Sequence, residues 1–165
     1  MVQANPAPTH ALDWSLLDHD GLMTPVLVAH FGPLSVQVLR TEVSGAAAFR
    51  RISQLYQTAT GTIILDAEMI LNAAALPAQV LAGLQDSSIP FGQLVIEAGI
   101  AACSVDREIT WLMTSLDSER RACRRHRLIN ARSGKELCAI VETLSPLSVL
   151  RTAQEAFGAK NLCHD

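Results

Sequence analysis

A chain of 165 residues that is 49% apolar and 18% charged has the size of one domain and enough apolar material for a real core. Thirteen Lys and Arg against sixteen Asp and Glu leave a formal charge of −3, so no overall basic field exists to hold nucleic acid. Nothing reaches the roughly 18 consecutive apolar residues of a membrane span, and the opening MVQANPAPTHALDW lacks the basic and continuous apolar regions of a secretory signal; a soluble cytoplasmic protein is expected.

In chain order, residues 1–14 read as an N-terminal arm, loose where two prolines and small polar groups dominate, with Ala11 to Leu17 suited to a short helix. Thr24-Pro25 is a helix-start signal, threonine as cap and proline at the first position, so Val26 to Phe31 is predicted as a helix stopped by Gly32-Pro33. The period then changes to two, with Leu34, Val36 and Val38 on one face of a strand. Phe49 to Gln57 and Gly61 to Leu71 read as two more strands joined by a small polar turn.

Ala74 to Leu84 returns to helical spacing, and Pro90 to Ala98 suits a second short helix. Residues 100–114 favour a strand through their Ile, Val, Thr and Trp content. Cys123 to Ala131 and Glu136 to Leu144 bracket Arg132-Ser133-Gly134-Lys135, a hairpin signal. The sum is an α+β domain over residues 15–150, a mostly antiparallel sheet of five or six strands, followed by a tail at 151–165 that is either a short helix or a frayed end.

Cys103, Cys123, Cys138 and Cys163 form no CxxC pair, and the five histidines form no HxxxH or HExxH arrangement; no metal or disulfide framework is expected. No GxSxG, GxGxxG or GxxxxGK motif occurs, so nucleophile elbows and phosphate cradles have no support either, and no cofactor is expected.

Two residue types remain. Glu142 lies in a strand apolar on both faces, where a carboxylate has to be paired, hydrogen-bonded or protonated unless the strand ends early and leaves it on a wet edge. Its available partners are arginines, eleven against two lysines, densest at Arg50-Arg51 and between Arg120 and Arg127. The planar guanidinium suits bidentate capture of carboxylates. The 120–127 group reads as charge guarding an edge strand, whereas Arg51 interrupts an otherwise apolar strand. A small pocket with an arginine and a glutamate, acting on or binding an anionic organic molecule, is the expectation.

Taken in order, Leu22-Met23-Thr24, Arg51, the passage from Ala67-Glu68 to Leu76-Pro77, Pro90-Phe91-Gly92, Arg124 to Arg127, and Val141-Glu142-Thr143-Leu144-Ser145-Pro146 resemble the chorismate pyruvate-lyase family, over roughly residues 15–147. The resemblance implies a six-stranded antiparallel sheet with helices on one face and a buried ligand cavity closed by helix-turn-helix flaps, in a monomer that needs no metal or cofactor. It implies that Arg51 and Glu142 are the catalytic pair and that Met23 and Phe91 bind the ligand largely through their backbone, phenylalanine standing where many relatives have leucine. Arg50 is the alternative to Arg51 if the strand register slips by one. The implied reaction is removal of pyruvate from chorismate to give 4-hydroxybenzoate. Arg51 would hold the ring carboxylate and Glu142 the C4 hydroxyl, with an arginine among 124–127, Arg127 being one candidate, for the second carboxylate. The alternative is a non-catalytic module binding aromatic carboxylates, since the effector-binding domains of some transcription regulators share this general fold.

Overall fold

The computed structural model describes residues 11–43, 45–86, 89–113 and 119–161. Its elements run α1 (Ala11–Leu17), α2 (Met23–Phe31), β1 (Leu34–Val43), β2 (Ala48–Gln57), β3 (Ile63–Asn72), α3 (Ala78–Asp86), α4 (Phe91–Glu97), β4 (Ala102–Met113), β5 (Arg120–Asn130), β6 (Glu136–Leu144) and α5 (Leu147–Asn161). The strands form one six-stranded sheet in the order β1-β2-β3-β6-β5-β4, every neighbouring pair antiparallel.

Alternation along the strands sets the two faces. In β2, Arg51, Ser53, Leu55 and Gln57 are buried while the residues between them are half-exposed. The same period in β3 and β6 turns Leu65, Ala67, Met69 and Leu71, and Cys138, Ile140, Glu142 and Leu144, to one side. That side packs beneath the helices.

Two apolar clusters fill the space between. One joins Leu16 and Leu17 of α1, Leu27 and Phe31 of α2 and Leu150 of α5 to Leu65 and Leu144. The other joins Val80 and Leu84 of α3 and Leu94 and Val95 of α4 to Met69, Leu71, Leu128 and Leu137. Each of these side chains contributes roughly 1.5–3 kcal/mol on burial.

The compact unit is wider than residues 15–150. Leu12 packs against the first cluster, Asp13 is buried, and α5 continues to Asn161 with Ala153 in the core. Gln57 ties that end down, its amide donating to the carbonyls of Phe31 (2.8 Å) and Ala153 (2.9 Å). Residues 1–10 and 162–165, the remainder of the expected arm and tail, lie outside the described residues.

Helix α2 starts earlier than its capping signal suggests. Leu22 occupies the cap position with no side-chain bond, because Thr24 is turned inward against Gly92 of α4 instead of back along its own helix. Gly32 (φ 75°) ends the helix as expected, its N–H donating to the Val28 carbonyl at 2.9 Å. Helix α3 begins after Pro77, four residues later than Ala74, since a single 3-10 turn at Ala73–Ala75 intervenes. Strand β5 is interior, not an edge; β1 and β4 are the edges. The β5–β6 turn falls where the hairpin signal lies, with Gly134 at φ 71°.

Candidate functional site

Where the two clusters meet, the helix-covered face of the sheet turns polar. Across the strands one row reads Ser53, Ala67, Glu142, Arg124, and the next reads Arg51, Met69, Ile140, His126. A cavity of about 40 Å³ opens above it, lined by Met23, Arg51, Ser53, Phe91, Glu142 and apolar side chains of both clusters. All four residues singled out from the sequence, Met23, Arg51, Phe91 and Glu142, therefore meet at one hollow.

Arg51 is 1% exposed. Its Nε, Nη1 and Nη2 are all buried without a hydrogen-bond partner, and burial pulls its proton affinity below the usual arginine value. A guanidinium in that condition still carries its charge and five unused N–H donors. The strand register separates it from Arg50, which faces the opposite side and pairs with Glu68 and Glu42.

Glu142, 4% exposed, has the opposite character. Its Oε2 accepts from Arg124 Nε and from His126 Nε2, both at 2.9 Å. No hydrogen bond reaches Oε1 among the described residues. Burial works to raise its pKa, yet the His126 hydrogen bond and the Arg124 charge outweigh it and hold the carboxyl below its usual value. At neutral pH Glu142 is an anion whose charge Arg124 balances, and it stands diagonally across β3 from Arg51. Strand spacing and rise put the two Cα atoms about 12 Å apart.

Arg124 does more than pair with Glu142. Entirely buried, it donates from Nη1 to the carbonyls of His19 (3.0 Å) and Leu17 (3.4 Å) and from Nη2 to that of Gly21 (3.5 Å). It therefore pins the connection that delivers Leu22 and Met23 to the cavity. His19 packs beside it and is held below the usual histidine pKa by burial and by that guanidinium. Behind the glutamate, His126 Nδ1 lies 2.8 Å from Ser104 Oγ on β4.

The roof is made by two helix starts. Met23 and Phe91 are the first residues of α2 and α4, where backbone N–H groups have no partner within the helix. Close approach of the two helices depends on Gly92. A Cβ there would sit 2.5 Å from Thr24 Oγ1.

Arg127 does not join the site. It is on the outer face and pairs with Asp106 and Glu136, because its β5 position is odd relative to Arg124 and His126. His126 and Ser104 were missed in the sequence, and Arg124 was singled out only as one of the 120–127 group. The signal available was weak: Arg124 and His126 share a row with Ala122 and Leu128, but the opposite row, Cys123 to Ile129, is also apolar at both ends, so the pattern does not choose between them. Among the described residues no group of three His, Cys, Asp or Glu side chains forms a metal-binding cluster, and no helix is long and apolar enough to cross a membrane.

No protein-family model matches the sequence, and neither does any curated protein. The backbone, however, is similar to PhnF from Mycobacterium smegmatis (TM-score 0.54, 12% identity, 77% of this chain and 64% of that one). It is also similar to a protein from Bordetella bronchiseptica described as the ligand-binding domain of a GntR-family transcriptional regulator (TM-score 0.50, 11% identity, 68% of this chain and 85% of that one). The chain spans less than two thirds of PhnF. At these identities the likeness is one of fold: a single α+β domain with a six-stranded antiparallel sheet, the architecture such regulator domains share with the chorismate lyases.

Proposed function

We propose that the cavity binds a small cyclic carboxylate, with Arg51 taking the carboxylate and Glu142 accepting a hydrogen bond from a hydroxyl on the ring. One observation carries the reading. A buried guanidinium with no partner costs several kcal/mol, and an anion entering the cavity beside Arg51 recovers that cost. The walls are apolar, as a ring requires. Glu142 already has its cation in Arg124, so it does not compete for Arg51. Titration calorimetry with benzoate and hydroxybenzoates tests the reading: micromolar to low-millimolar binding by the native chain, lost in Arg51→Met, is expected, and equal affinity of the two proteins would exclude it.

A second reading is catalysis on chorismate, favoured by the meeting of Met23, Arg51, Phe91 and Glu142 at one cavity in the positions the family resemblance assigns. The C3–O bond to the enolpyruvyl group would break as the C4 proton leaves. The C4–H pair would become the last ring double bond, and the methylene carbon of the departing enolpyruvate would gain a proton, giving 4-hydroxybenzoate and pyruvate. A glutamate held below its usual pKa is a weak base, so its part would be to orient the hydroxyl while the apolar walls desolvate the ring. Incubation with chorismate, followed by chromatography for both products, separates a lyase from a binding module. The fold likeness to ligand-binding domains favours the first reading.

A further inference from the structure

We propose that His126, backed by Ser104, is a positioning residue that makes Glu142 a selector for ligands bearing a ring hydroxyl; this rests on the carboxylate-binding reading of the cavity. A carboxylate can only accept, so the 2.9 Å contact fixes an imidazole proton on Nε2. Ser104 Oγ, 2.8 Å from Nδ1, donates its hydroxyl proton to that nitrogen in the neutral ring. The ring is thus held at both nitrogens, by Ser104 at Nδ1 and by Glu142 at Nε2.

Both His126 and Arg124 end on Oε2. Two donors from alternate positions of β5, meeting on one oxygen, hold the carboxylate in place and leave Oε1 as the acceptor with no protein donor among the described residues. Neither His126 nor Arg124 lines the cavity, so a ligand touches neither, and their influence passes through Glu142. A buried acceptor that cannot turn away from the ligand rewards a hydroxyl and is left unsatisfied by the same ring without one, which is how polar sites reject deoxy analogues. Were Glu142 free to rotate, it would swing toward its own cation and lose that discrimination.

Calorimetric titration of the full chain with benzoate and with 4-hydroxybenzoate reads this directly. The native protein should prefer the hydroxylated acid by about tenfold or more. In His126→Leu the preference should fall to about threefold or less, with benzoate affinity nearly unchanged. His126→Gln, whose amide N–H can replace the imidazole donor, should restore much of it, and Ser104→Ala should lose part of it. A folded His126→Leu protein that keeps the full preference overturns the proposal. So does a loss of benzoate binding as large as that of hydroxybenzoate, or a native protein that binds both acids equally. If His126→Leu does not fold, Ser104→Ala decides by the same ratio, an unchanged preference overturning it. Uptake of neither acid by the native chain removes the carboxylate-binding reading together with this one; uptake of both with a ratio that never moves removes this one alone.

Discussion

Two arginines lie fully buried on the same face of the sheet, with strands β3 and β6 between them, and they are in opposite states. Arg124 has a carboxylate on Nε and backbone carbonyls on its other nitrogens. Arg51 has nothing on any of its three nitrogens. Burial, sequence type and strand environment are alike, so they do not distinguish a group that holds the fold together from one with the donors that the proposed ligand would use. Satisfaction of the donors does.

The largest effect expected from this contrast is on stability. Arg124→Leu strands the Glu142 carboxylate and the carbonyls of Leu17 and His19, and should cost about 3–5 kcal/mol in urea unfolding. A cost under 1 kcal/mol would mean that the pair contributes little and that the contrast is empty. Acid breaks the same pair chemically. Because the native Glu142 pKa is lowered, its contribution is complete at neutral pH and is withdrawn as pH falls from about 4.5 through the lowered native value. Glu142→Gln should therefore flatten the acid limb of a stability–pH curve, and an unchanged limb would contradict the assignment.

Arg51→Met should behave in reverse: stability equal to or above that of the native chain, with carboxylate affinity down by about a hundredfold. A variant that melts well below the native protein would move Arg51 into the structural class. Smaller again is Gly92→Ala, which forces a Cβ against Thr24 and should cost about 1–2 kcal/mol; thermal melts check it, and a neutral result would show that α2 and α4 separate readily. Arg50→Ala comes last. Its pairs with Glu42 and Glu68 are on the solvated face, so neither melting nor ligand affinity should move measurably, and loss of binding would reinstate Arg50 as the anchor.

How much of this was legible in the sequence follows from the same contrast. β6 is read to the residue, since the largely apolar run Glu136 to Leu144 is bounded by a glycine turn and Pro146. Arg51 and Glu142 stand out because each is a charge inside an apolar strand. Arg124 does not, since β5 carries charge on both faces, and only the pairing of β5 with β6 shows which arginines go inward. Thr24 misled for a related reason: a local capping rule lost to a tertiary contact with Gly92, which no neighbour in sequence announces. The start of α3 moved because Pro77 governs entry to the helix more strongly than the alanines before it.

The size of the hollow has a kinetic consequence. At about 40 Å³ it is well short of the roughly 150 Å³ that admits benzene in an apolar cavity, so a ring enters only after the starts of α2 and α4 move apart. Uptake is then gated by the protein: in stopped-flow mixing the observed association rate should level off as ligand concentration rises, and the bound ring should leave no faster than the roof lifts.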